Sequence, residues 1–499
     1  MNIRKLLTRL VSLALIAVFL PTVAMADTWY LEDGSITVSA TDSCQNVSQG
    51  GVTKEDSAPV IRNRDSSTST TNNVTIKADT GATANVTLED TNIDTTGGAG
   101  PNGAGDAAVR TEGGGNVNLN VELDNTLQSG NLHAGVEKGN GGNLTIGSES
   151  GSGQLVATGG SSGAGIGGGE NTGAENITIT GGDIFATGNH GAAGIGGGWR
   201  GNGTDITITG GNITAVGKTE SSRDVGGAGI GGGGNQTSDP GIGSNIKITG
   251  GSVTAVGGNY AAGIGGSYLS KGENITIIDA EVIAKGGANG AGIGGGDSGD
   301  GSNISISGNA NVKAAGGASD GEIGDGAAIG AGGIYRNGQP VRGEERDVNT
   351  SGLTGSIERL PAGTTFDIPQ PKPRSSFPKP APDPVAVEEE PQPVKAALYR
   401  VIDDAGKALP VEAKQEDGVL LLTAQSGIAI LEGAISGLQT LQSRGIDIIT
   451  FTNGTISVSF SLAEVIAKGA SSDVYRLTLS GGEANFTLAD ADITALLGK

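Results

Sequence analysis

One six-residue phrase constrains this chain more than any other feature. Ala164-Gly165-Ile166-Gly167-Gly168-Gly169 returns at 193–198, 228–233, 262–266 and 291–296. Degenerate copies are Ala328-Ile329-Gly330, Ala134-Gly135-Val136, Ala107-Ala108-Val109 and Ala58-Pro59-Val60. Aligned on Val60, Val109, Val136, Ile166, Ile195, Ile230, Ile264, Ile293 and Ile329, the spacings are 49, 27, 30, 29, 35, 34, 29 and 36 residues. A constant motif at unequal spacing is a fixed unit with loops of variable length, and the 49 reads as a coil that lacks the phrase.

A second element alternates between the glycine phrases. Asn176-Ile177-Thr178-Ile179-Thr180 is followed by Gly181-Gly182 and then Asp183-Ile184-Phe185-Ala186. The same wording returns at 205–209, 245–249, 274–277 and 303–307, with weaker copies at 143–146, 116–119 and 73–76. Period-two alternation of β-branched residues is a strand with one buried face, and Gly-Gly marks the turn after it. Each unit therefore holds three short strands and no helix. Such a unit cannot bury its apolar face alone, so the units must stack with every strand paired to its equivalents. The expected fold is an all-β parallel β-helix solenoid of nine or ten coils, with Ile177, Ile206, Ile246, Ile275 and Ile304 as one inward ladder. At ~4.8 Å per coil it is a rod on the order of 45 Å long. Parallel strands cross over right-handedly as a rule, so that hand is expected.

Composition agrees. Gly makes up 92 of 499 residues, and Phe, Trp and Tyr together only 15, so the core must be built from aliphatic side chains and backbone. Residues 1–26 read as a signal peptide, with Arg4, Lys5 and Arg9 before an apolar run and Ala24-Met25-Ala26 as the cleavage site. Removing those three basic residues takes the net charge from −22 to −25, which argues for a secreted chain and against nucleic acid as a partner. No later stretch has the apolar length of a membrane span. Cys44 is the only cysteine, so no intrachain disulfide can form. The domain reading is a β-helix over 27–360, a Pro-rich spacer over 361–395 and a small α+β domain over 396–499. In that last domain Leu431 to Arg444 reads as an amphipathic helix, and Ser461 as the N-cap of a second.

The reiterated G-A-G-I-G-G-G and the opening Thr28-Trp29-Tyr30-Leu31-Glu32-Asp33-Gly34 resemble the glycine-rich β-helical regions of secreted and surface proteins from gut-associated Gram-positive bacteria. That resemblance covers residues 27–340 and implies a cell-surface adhesin or a carbohydrate-binding protein. The ligands it implies are extracellular glycans of host or cell-wall origin.

Chemistry is sparse along the rod. Acidic residues fall in variable loops and do not recur in one register, as a polysaccharide lyase or hydrolase would require, so no catalytic residue is assigned. His133 and His190 lie about two coils apart and read as solvated turn residues, not a metal pair. Asp297 and Asp300, in Gly296-Asp297-Ser298-Gly299-Asp300, allow at most a weak Ca²⁺ site, since the motif occurs once. Threonine columns such as Thr178, Thr207 and Thr276 suit an exposed strand face; Lys247 and Ile278 interrupt them, which disfavours ice binding. The best ligand candidates are aromatic. Trp199 and Tyr268 each follow a glycine phrase, two coils apart and so roughly 10 Å from each other, as expected of exposed glycan-stacking platforms. Arg200 and Tyr260 stand beside them. The alternatives to a glycan-binding adhesin are a polysaccharide-cleaving enzyme and a purely structural scaffold.

Overall fold

In the computed structural model the chain divides into two compact units, Met1–Ala381 and Pro382–Lys499. The structure describes residues 27–97, 105–219, 225–235, 241–374 and, with short gaps, 399–498; the expected signal peptide and the spacer beyond 374 lie outside the described residues.

The first unit is a parallel β-solenoid with three walls. Wall 1 stacks ten strands from Thr28–Tyr30 to Gly301–Ser307 and carries the N-I-T-I-T wording. Wall 2 stacks nine, from Asn92–Asp94 to Ser356–Leu360, and carries x-I-x-A. Wall 3 carries the glycine phrase in ten parallel strands, from Ile36–Ala40 to Ile329–Gly330. Each residue sits above its equivalent: Ile177 on Ile206, Ile206 on Ile246, Ile246 on Ile275, and Ile275 on Ile304. These side chains and the matching Ile179, Ile208, Ile248, Ile277 and Ile306 are buried in one continuous core with the Ile/Val and Ala columns of wall 2. Among the described residues the core contains no ring; Trp29 packs against it from the edge, as do Val348, Leu353 and Ile357. Burying each such Ile contributes roughly 1.5–3 kcal/mol, so a long thin column of aliphatic residues suffices.

The Asn or Asp that begins the N-I-T-I-T wording has its own task. Asn176, Asp205, Asn245, Asn274 and Asn303 all have φ between 53° and 58°, a left-handed bend that Asn and Asp tolerate best. Their side chains form a ladder: Asn245 donates to Asp205 at 3.1 Å, Asn274 to Asn245 at 3.0 Å and Asn303 to Asn274 at 2.6 Å.

Two early segments sit on other walls than their wording suggests. Val60 lies on wall 1, paired with Thr28 and Thr87, whereas Asn73-Val74-Thr75-Ile76 lies on wall 3, where Val74 pairs with Ile36 and Val109. The apparent 49-residue spacing therefore becomes 35, from Val74 to Val109. Alternation reports which face of a strand is buried, not which wall it joins.

The stack is closed at its far end by a carboxylate. Glu345 accepts the N–H groups of Ala328 (2.7 Å) and Ile329 (3.1 Å), which would otherwise be an unpaired sheet edge, and pairs with Arg342 and Arg359. At the near end Ile36–Ala40, Gln45–Gln49 and Val52–Glu55 form an antiparallel meander. Residues 361–374, expected as the start of a free spacer, instead run back along wall 2 as an extended strap. Gly363 donates to the Gly316 carbonyl, Lys372 exchanges two hydrogen bonds with Gln154, and Arg374 pairs with Asp90. Its prolines hold it extended but do not hold it away from the rod.

The second unit has two sheets. One orders Arg400–Ile402, Ile428–Ala434, Val474–Ser480, Glu483–Leu488 and Ala491–Asp492; the other orders Val411–Glu416, Val419–Ala424, Ile448–Thr452 and Ser457–Ser461. Its core is aromatic, with Phe460, Tyr475 and Phe486 in mutual contact at 4.8–6.3 Å and Phe451 fully buried. The expected helix from Leu431 begins later, at Ile435–Ser443, because Leu431 belongs to a central strand paired on both sides. The second helix is Leu462–Ile466; Ser461 precedes it in extended conformation but makes no side-chain cap hydrogen bond.

Candidate functional site

From Ile166 onward, wall 3 is unlike the others. Its strands shorten to two residues, and the chain turns away at both ends. Four residues before the central Ile stand Ser162, Gly191, Gly226, Tyr260 and Asn289, and all of them but Gly226 are at positive φ. Four residues after it stand Glu170, Trp199, Gly234, Tyr268 and Asp297. The two corners meet in front of the strand. Glu170 N–H reaches Leu132 O at 2.7 Å, Trp199 N–H reaches Ser162 O at 3.0 Å, and Asp297 N–H reaches Tyr260 O at 2.8 Å. The phrase is thus buried on both faces, which is why it is glycine. At Gly167, Gly196, Gly231, Gly265 and Gly294, φ lies between 129° and 139°, and a Cβ would stand 1.9–2.1 Å from the carbonyl oxygen of the next coil. No side chain fits there.

This closure produces a seam along the rod, with one facing pair per coil. In the Ile264 coil the pair is Tyr260 and Tyr268, edge to face with centroids 6.0 Å apart and planes at 62°. The Tyr260 hydroxyl donates to Asp320 at 3.3 Å; burial first, and then the Asp320 charge, pushes the phenol above its ordinary range. In the Ile195 coil the pair is Gly191 and Trp199. The indole edge lies over Gly191, where a Cβ would be 2.6 Å from Cδ1, and the Arg200 guanidinium stands 4.2 Å from the ring centroid. Arg200 is itself held by Asn235, whose Oδ1 accepts from Nε at 3.3 Å.

The sequence expectation placed Trp199 and Tyr268 in one register two coils apart, and the stacking of Ile195 on Ile230 on Ile264 does so. It also treated them as exposed platforms, and here the structure corrects it. Trp199, Tyr260 and Tyr268 are half-buried: the indole lies in the hollow over Gly191, and the two tyrosine rings pack against each other. Arg200 covers one face of Trp199, so ring edges and the Arg200, Asp320 and Tyr260 polar groups are what the seam presents.

In the Ile293 coil the facing pair is Asn289 and Asp297, both fully buried. Asn289 Nδ2 donates to Asp297 at 3.1 Å and Ser298 Oγ at 2.7 Å; burial nevertheless raises the carboxyl above its usual range. Asp300, the other half of the weak Ca²⁺ expectation, is committed to a bidentate pair with Arg346 at 2.8–2.9 Å. Among the described residues no three His, Cys, Asp or Glu side chains are grouped as a metal would need.

One cluster was missed by reading the sequence. In the earlier coils wall 3 is not closed over, and its outward positions carry Thr75, Arg110 and Glu137 in one register. Glu137 accepts from Arg110 Nε at 3.0 Å and is bonded to His133 Nδ1 at 2.7 Å, while Arg110 also reaches Asp106 at 2.9 Å. Burial pushes the Glu137 carboxyl up, but the hydrogen bond and charge of His133, with Arg110, more than offset it and leave it below its ordinary range. His133 is therefore part of an ionic network and not a solvated turn residue; His190 is bonded to Ser161 Oγ at 3.0 Å. The signal was the His133-x-x-x-Glu137 spacing with an arginine one coil earlier.

The family model described as a beta helix repeat matches residues 177–199, 206–234 and 246–268. Those are three consecutive coils, and each match ends on a seam residue: Trp199, Gly234 and Tyr268. No curated protein and no solved structure matches the chain. The first unit has a parallel β-helix fold.

Proposed function

We propose that this chain is an exported, non-catalytic surface protein whose seam binds extracellular glycans, in the manner of an adhesin. One observation carries the reading. A rod whose core contains no aromatic residue sets Tyr260, Tyr268 and Trp199 along a single seam, with Arg200 and Asp320 as polar neighbours. Ring edges beside a few convergent polar groups suit the mixed apolar and hydroxylated surface of a sugar. Export rests on the composition of residues 1–26.

A glycan array probed with the chain from Asp27 onward tests the proposal. Binding that falls at least tenfold in Tyr268→Ala and Trp199→Ala, with unchanged circular dichroism, supports it. A full set of glycans without a hit overturns it in favour of a structural scaffold. Each hit is also assayed for cleavage. Product that disappears in Glu137→Gln would move the assignment to a polysaccharide-cleaving enzyme using the Arg110–Glu137–His133 cluster.

A further inference from the structure

The outer face of wall 2 is a groove with an occupant. Its inward side chains are Ile184, Ile213 and Val253 with Ala186, Ala215 and Ala255, so Phe185, Thr214 and Thr254 point outward, one above another. Outward residues of a solenoid belong to solvent, yet Thr214 is only 6% exposed, Thr254 4% and Gln154 4%. The strap binds Gln154, and its path leads across the two threonines. It starts beside Gly316, in the coil of Asn311–Ala315, and reaches Gln154 and then Asp90, so residues 364–371 must cross the intervening rungs. Eleven residues at ~3.1 Å each span on the order of 34 Å, the reach of an extended polyproline-type chain over seven rungs.

The strap makes sequence-specific contacts of the kind a bound peptide makes. Phe366 and Ile368 are half-buried while their neighbours Thr365 and Asp367 are exposed, so one side of the strap faces the groove. The main chain of Lys372 donates to Gln154 Oε1 at 2.8 Å and accepts from Gln154 Nε2 at 3.2 Å, a two-bond exchange that reads backbone and not side chain. Lys372 Nζ pairs with Asp183 at 2.6 Å. The Arg374 guanidinium enters a socket made by the Asp90 carboxylate at 3.2 Å, the Thr91 carbonyl at 2.6 Å and the Asp124 carbonyl. Two basic side chains two residues apart, on a backbone kept extended by Pro369, Pro371 and Pro373, thus meet two carboxylates three rungs apart.

We infer that the outer groove of wall 2 is a peptide-binding site for extended, proline-bearing segments with basic side chains at alternate positions, and that residues 363–374 of this chain are its resident ligand. The strap is held by side-chain and loop contacts; no main-chain ladder joins it to the rungs it crosses between Gly316 and Gln154, so it can leave without dismantling the coils.

Two measurements test this. In the first, residues 363–374 are replaced by a Gly-Ser segment of equal length, and a labelled peptide of residues 361–374 is titrated in by fluorescence anisotropy. Saturable binding is expected, weakened about tenfold by Arg374→Ala in the peptide or Asp90→Asn in the rod, and weakened further by salt. A folded strap-less rod that ignores the peptide overturns the inference. In the second, the intact chain carries Thr254→Cys in a Cys44→Ser background, which reads the groove even where the first variant folds poorly. The thiol is expected to react slowly in the parent, and at least tenfold faster once Lys372→Ala and Arg374→Ala release the strap. Equal rates would leave the strap an inseparable part of the rod.

Discussion

Wall 3 is built twice in one molecule. In the strands Val74–Ala78, Val109–Gly113 and Val136–Lys138 its outward register holds Thr75, Arg110 and Glu137, and the wall carries half-buried polar and charged side chains. From Ile166 onward the same register holds Gly167, Gly196, Gly231, Gly265 and Gly294, and backbone closes over it. The inward Val or Ile is constant throughout. The glycine here is not there for flexibility. At a φ near +130° it stacks so closely on its equivalent in the next coil that no Cβ fits, and the coils that carry it have a seam whose lips carry the distinctive side chains.

The largest effect is expected from one methyl group added in the closed half. Gly231→Ala meets both a forbidden φ of +132° and a carbonyl oxygen 2.1 Å away, and should cost about 4 kcal/mol. A large fall in the thermal midpoint is the expected readout, and a near-normal melt would show that this stacked register does not require glycine. In the open half the largest effect belongs to Glu137→Gln, at about 2 kcal/mol near neutral pH. The Glu137 carboxyl lies below its unfolded value near 4.5, so its contribution is complete above that value and is lost as pH falls through the depressed one. Urea melts of parent and variant should therefore converge in acid and separate at pH 7.

Asp297 should behave in the opposite sense. Burial raises it above 3.8, so its ionisation works against the fold as pH rises from that value through the raised one. Asp297→Asn is expected to match or exceed the parent by about 1 kcal/mol at pH 7, and to lose that advantage below pH 3.8, by the same melts. The smallest effect completes the comparison: Thr75→Ala, in the same column as Gly231, should stay within about 0.5 kcal/mol. A large loss there would mean that the two halves are not built differently.

The solenoid was legible because its signal is local and repeated: I-x-I alternation assigns burial, and recurrence demands stacking. What escaped detection depended on contacts between distant backbone segments. Asn73-Val74-Thr75-Ile76 reads like a wall 1 strand and belongs to wall 3, because the alternating pattern is the same on either wall. The register of Trp199 and Tyr268 could be counted from the repeat, but the hollow at Gly191 that lays the indole down depends on where two corners meet. The facing pairs were visible in principle as positions four before and four after each central Ile. The Pro-rich composition of 361–374 correctly implied an extended chain and carried no information about the groove beneath it. In the second unit Leu431 has the spacing of a helix face with Leu438, and only the strands on either side of it decide otherwise.

The strap also decides how the rod takes a pull. Tension on the chain beyond Arg374 is delivered at Asp90 and Asp124, against the direction in which the coils accumulate. The Arg374 clasp bears the load first and the Lys372–Gln154 exchange second, and the Ser356–Leu360 rung feels it only after the strap has lifted. Contacts loaded one after another peel at low force, whereas stacked ladders loaded together resist. Under load the strap is therefore expected to lift, as a mechanical fuse, before the solenoid begins to unwind.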